Sequence, residues 1–145
     1  MIDRYATPLR YVAAALVLAG GLVHYKLWDG TKDWPNDNLS RMFLLNIVSS
    51  VAIAVALAVR HHWIPVVSAL GLTVGSLGAF GISRTGSGLP GTSVEGLGKF
   101  AEHGWSPSPE AALALLFEIS ASAALVALLA VTPLPPPFRR DSAAG

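Results

Sequence analysis

From Trp63 to Ser83 the chain carries no charged side chain, and three other stretches come close to the same condition. Runs of this kind constrain the fold more than any other feature. Roughly 20 mainly apolar residues, rising 1.5 Å each as a helix, match about 30 Å of hydrocarbon. The others are Leu9 to Leu27, uncharged from Tyr11 to Tyr25; Ser40 to Val59, uncharged from Met42 onward; and Pro109 to Thr132, whose apolar stretch after Glu110 is broken only by Glu118. None has a consistently polar face, as a surface helix of a water-soluble bundle would. In lipid the backbone satisfies its hydrogen bonds internally, which selects helix over open strands. The expected fold is all-α: a four-helix transmembrane bundle forming a single membrane domain over 1–145, with an extended tail at 133–145.

Composition agrees. Charged residues make up 13% of the 145, against about 25% in a soluble domain. A net charge of +1 gives no basic footprint, so nucleic acid is not an expected partner. With no cysteine, disulfides, thiolate metal sites and cysteine nucleophiles are excluded. Trp28, Trp34, Trp63 and Trp105 fall at or near the predicted interfaces, as an aromatic belt does.

Local punctuation marks the limits of the spans. Ser108-Pro109-Glu110 predicts a helix start with a hydroxyl cap, proline at the first helical position and an acid at the positive dipole end. Ser40 is placed to cap the second span. Pro133 and Pro135-Pro136-Pro137 end the fourth. Arg4 and Arg10 precede the first run as they would in a secretory signal. However, Gly20-Gly21-Leu22-Val23-His24-Tyr25 offers no small-x-small cleavage site, so the segment reads as a retained helix. Arg10 and Lys26 are expected to snorkel outward from its two ends.

Four spans place both termini on one side. Arg4, Arg10, Arg60, Arg139 and Arg140 tie in number with Lys26, Lys32, Arg41, Arg84 and Lys99 on the other side, so the positive-inside count does not decide. The short Arg60-His61-His62 connection and the Arg139-Arg140 pair favour cytoplasmic termini in the cell membrane. The opposite side has the two longer loops with Asp29, Asp33, Asp37, Glu95 and Glu102.

The loop from Arg84 to Ser108 is longer than a helix hairpin needs. Gly86, Gly88 and Gly91 match G-x-G-x-x-G, but no strand precedes them and Pro90 interrupts, so the match is accidental. Thr92-Ser93-Val94-Glu95 has capping-box spacing, and Val94, Leu97, Phe100 and Ala101 then share a helical side. This predicts a short interfacial helix in the third loop, ending near Gly104, that serves as a lid over the bundle or as a docking surface.

Glu118 lies about 10 Å inside the hydrocarbon edge. Even on translocon scales an acid there costs about 2.5–3.5 kcal/mol, so it must face protein or water. Candidate partners are His24, Asn46 with Ser49 and Ser50, and Thr73 with Ser76, of which His24, Asn46 and Ser76 fall with Glu118 in the outer half of the membrane. Three readings stand: a structural node fixing helix register, recognition of a polar group on a partner subunit, or the lining of a proton, ion or small-molecule path. No nucleophile motif, second acid or metal-ligand spacing accompanies it, so neither an enzyme nor a metal site is expected. Only His24 of the four histidines lies inside a span, so no haem or other cofactor is expected. His61-His62 beside Arg60 reads as a basic patch for anionic headgroups. In the third span Ser68, Gly71, Gly75 and Gly78 form a small-residue stripe, a helix-packing face within the monomer or toward another subunit.

His24-Tyr25-Lys26-Leu27-Trp28, followed by Arg41-Met42-Phe43-Leu44-Leu45-Asn46, resembles small four-span membrane proteins of unknown function from high-GC Gram-positive bacteria. In those proteins an H-x-x-L-W segment precedes an F-L-L-N helix start. The resemblance covers the first third of the chain and singles out His24, Trp28 and Asn46; the long glycine-rich third loop departs from it. It implies a fold and a membrane, not an activity. A likeness to DoxX-type four-helix membrane proteins rests on topology alone. The expected function is a non-enzymatic accessory or structural protein of the bilayer that self-associates or joins a larger membrane complex. The alternative is a small carrier or proton-coupled path using Glu118 and His24.

Overall fold

The computed structural model describes residues 3–31, 38–84, 93–94, 98–99 and 108–132. Among these are four long helices: α1 (Asp3–Thr31), α2 (Asn38–Val59), α3 (Trp63–Ser83) and α4 (Glu110–Val131). All four are long and apolar enough to cross a membrane; α2, α3 and α4, at 22, 21 and 22 residues, each reach about 32 Å. The tail at 133–145 lies outside the described residues.

The helix ends show which local signals operate. α1 begins at Asp3, ahead of the expected Leu9, and runs through Pro8 in its second turn. α2 starts at Asn38, so Ser40 is a buried first-turn residue and not the cap. α3 is capped by His62, whose Nδ1 accepts from the Ile64 amide at 3.3 Å. At α4 Pro109 occupies the capping position itself and no side chain caps the helix, so the expected Ser108 hydroxyl cap is not formed.

The third loop departs from expectation. Ser93–Val94 (β1) and Gly98–Lys99 (β2) pair antiparallel, Ser93 opposite Lys99 and Val94 opposite Gly98. Extended backbone at these four positions replaces the expected short interfacial helix. The reason is in the composition: Gly96 and Gly98 each weaken a helix by about 1 kcal/mol relative to alanine, and β-branched Val94 favours a strand. The remainder of 85–107, including Thr92 and Glu95 of the supposed capping box, lies outside the described residues.

α1 packs along both α2 and α4, α3 packs along α4, and of these neighbouring helix pairs α2 and α3 touch least. At the end holding the α1 N-terminus the interior is apolar, with Leu57, Val66, Leu125 and Leu128 sealed among Ala13, Val17, Ala69 and Ala121. The outer surface is apolar as well: Leu22, Leu45, Val48, Val59, Leu116 and Val126 all face outward. Other buried positions hold polar residues, including Ser50, Thr73, Ser83, His24 and Glu118. That distribution suits a hydrocarbon solvent, in which apolar side chains face outward freely and polar groups must be sheltered.

Arg10 does not snorkel outward. It is 3% exposed, and its guanidinium donates to the Arg60 carbonyl at the end of α2. The last carbonyls of a helix lack intrahelical donors and carry the negative dipole end, which makes them a natural seat for this cation.

Candidate functional site

The half of the bundle toward the two longer loops is organised around a chain of hydrogen bonds. Ser50 Oγ on α2 donates to Asn46 Oδ1 at 3.2 Å, one turn away. Asn46 Nδ2 donates across to Ser76 Oγ on α3 at 2.7 Å. Ser76 in turn bonds the carboxyl of Glu118 on α4. The Glu118 carboxyl ends this chain on α4. Glu118 is 6% exposed.

His24, at the same level on α1, does not join this chain. Its Nδ1 is bonded to the Gly20 carbonyl at 2.9 Å, and its ring tilts against Phe43 with centroids 5.9 Å apart. Since a carbonyl only accepts, Nδ1 carries the proton, and in the neutral ring Nε2 is left as an acceptor. Among the described residues no other hydrogen bond engages this side chain. Further along, Ser122 Oγ donates to Thr73 Oγ1 at 2.9 Å and ties α4 to α3.

The glycines that bring helices together are not those of the expected stripe. A Cβ placed on Gly71, Gly75 or Gly78 meets nothing within 4 Å, and all three are exposed. The helix-packing face expected within the monomer is therefore not formed there. Close approach occurs instead at Gly20 and Gly21 of α1. A Cβ on Gly20 would stand 3.4 Å from Glu118 Oε1, and one on Gly21 only 2.6 Å from Ser50 Cβ. The available signal was a Gly-Gly pair in mid-span, one turn before His24. It does not reveal which helices it faces.

Where α2 and α3 part, a cleft of about 370 Å³ opens. Leu45 and Met42 of α2 and Gly71 and Gly75 of α3 are lining residues that also face outward, so the mouth opens sideways toward the bilayer. The buried floor is formed by His24 of α1 with Ala114 and Glu118 of α4. Asn46, Ser49 and Ser76 line the walls; Ser50 supports Asn46 from behind and does not line the cleft. Among the described residues none of those lining the cleft is lysine or arginine. Arg84 lies 4.2 Å over the Phe80 ring and is not among them.

The remaining histidines do not meet here. His61 and His62 are exposed at the opposite end, and His103 lies outside the described residues. Among the described residues no group of three or more His, Asp or Glu is placed to hold a metal ion. The arrangement presents acceptors, a carboxyl and an imidazole nitrogen, at the base of an apolar cleft. Comparison with family models, with curated proteins and with solved structures gives no match to this chain.

Proposed function

We propose that this four-span membrane protein is a non-enzymatic binding protein for a small lipid-soluble molecule, which enters the α2–α3 cleft and places its polar end at Glu118 and His24. The cleft itself carries this reading. Its volume of 370 Å³ falls within the range of small-ligand sites, and apolar walls with a few convergent polar groups are the usual composition of one. Carrier action, the fuller form of the same reading, requires the apolar plug of Leu57, Val66, Leu125 and Leu128 to part so that the floor meets the other side.

Binding is tested by extracting the small molecules retained by protein purified from native membranes in gentle detergent, alongside a Gly75→Phe variant. The added ring occupies the cleft mouth, where a Cβ meets nothing within 4 Å. A species enriched with the parent protein and missing from the variant supports the reading; identical extracts overturn it. If the protein is a proton-coupled carrier, Glu118→Gln abolishes proton-linked uptake of that species into liposomes while the fold stays intact.

A second reading is favoured by the outward-facing Gly71, Gly75 and Gly78. In it the protein is an accessory subunit, or a homo-oligomer, that offers this smooth face to a neighbouring transmembrane helix. Gly78 does not line the cleft, so crosslinking from Gly78→Cys separates the readings: capture of one defined membrane partner or a second copy supports the subunit role. In both readings the protein sits in the cell membrane with cytoplasmic termini, which labelling of a cysteine introduced at His61 in intact cells checks.

A further inference from the structure

Resting on the binding reading above, we propose that the occupant of the α2–α3 cleft is an amphiphile with a cationic, hydrogen-donating head and an apolar body, which enters sideways from the bilayer. Three observations converge on that chemistry. Several polar groups of the cleft are already bonded internally: Asn46 Nδ2 to Ser76, Ser76 to Glu118, and Ser83 Oγ to the Phe80 carbonyl at 2.8 Å. The floor holds an acid, Glu118, and an acceptor, His24 Nε2, with Nδ1 committed to Gly20. The described lining residues contain one acid and no lysine or arginine, so the charge complement arrives with the ligand.

The route follows from the same geometry. Outward-facing Leu45 and Met42 stand across the mouth from Gly71 and Gly75, whose missing side chains leave the α3 wall open. An ammonium or guanidinium at Glu118 leaves its hydrocarbon to run out between these residues into the acyl chains. A carboxylate or phosphate head would meet an acid at the floor with no basic residue among the described lining residues to offset it, and a neutral alcohol would lack the charge. The site thus selects by the sign of the head, while its apolar walls accept varied tails.

The test uses the full chain in lipid nanodiscs and a diazirine-bearing dodecylamine at neutral pH, with crosslinks mapped by mass spectrometry. Saturable labelling of the α2 and α3 walls is expected. Unlabelled dodecylamine should displace the probe, with dodecanol and dodecanoate roughly thirtyfold weaker, the low end for removing one partner of a buried charge pair. Glu118→Gln should abolish the preference for the amine. Should that variant fail to fold, Gly75→Phe, which keeps the acid and fills the mouth, should abolish wall labelling. Equal displacement by amine, alcohol and acid overturns the cationic assignment and leaves the binding reading standing, as does an amine preference that survives in folded Glu118→Gln. Absence of saturable wall labelling overturns both.

Discussion

Gly21 of α1 lies so close to Ser50 of α2 that a Cβ added to the glycine would stand 2.6 Å from the serine Cβ. Ser50 also donates to Asn46, the first link of the chain leading to Glu118. The packing of α1 against α2 and the setting of the buried acid therefore depend on one another.

Gly21→Ala is expected to destabilise the bundle by about 1–3 kcal/mol, the usual cost of overpacking. Ser50→Gly in the same chain should recover much of that loss by removing the opposing Cβ. Gly20→Ala places its methyl 3.4 Å from Glu118 Oε1, a contact the flexible carboxyl can yield to, and should change stability by less than about 1 kcal/mol, within the helix-propensity gain. Thermal unfolding in one detergent ranks the three variants. Equal melting of Gly20→Ala and Gly21→Ala would contradict the assigned contact.

The Asn46–Ser76 bond at 2.7 Å links α2 to α3, the neighbouring pair that touches least. A double-mutant cycle with Asn46→Ala and Ser76→Ala should give a coupling of about 0.6–1.7 kcal/mol, as interhelical hydrogen bonds in membranes do. Zero coupling would mean that this link of the chain does not hold the two helices together.

Arg10→Ala removes the guanidinium from the Arg60 carbonyl and should cost about 1.5–3 kcal/mol, as for hydrogen bonds to charged groups. The loss should appear first as faster amide exchange in the last turn of α2. Fraying confined to α1 would place the role of Arg10 elsewhere.

Gly75→Leu is expected to leave the melting temperature of the isolated monomer nearly unchanged, because a Cβ there meets nothing within 4 Å. A loss of oligomers on size analysis in gentle detergent, with monomer stability retained, would assign the α3 face to a second chain. A large drop in monomer stability would contradict the open face.

The site was half legible in the chain. Counting residues from the span ends puts His24, Asn46, Ser76 and Glu118 at one depth, and the structure has them bordering one cleft. Counting did not show that Ser50 would stand behind Asn46, nor that His24 would turn to its own backbone and not to Glu118. The same limit explains the glycines. The three-and-four spacing of Gly71, Gly75 and Gly78 is a real stripe, but spacing does not state which way a stripe faces. In the third loop, glycine content outweighed the capping-box spacing.

What the amino-acid order determined alone is one-dimensional. Four uncharged runs of membrane length set the number of helices and, within a few residues, their limits, because the cost of polar groups in hydrocarbon is summed along each segment. The rotation of each helix about its axis was decided only in three dimensions. In water an apolar stripe turns inward by itself; in lipid every apolar face is equally well solvated, so no pattern of hydrophobicity selects one. Here the phase came from close contacts at Gly20 and Gly21, from the hydrogen-bond chain ending at Glu118, and from Arg10 on the end of α2. Those same contacts left the cleft open between the two helices they hold least.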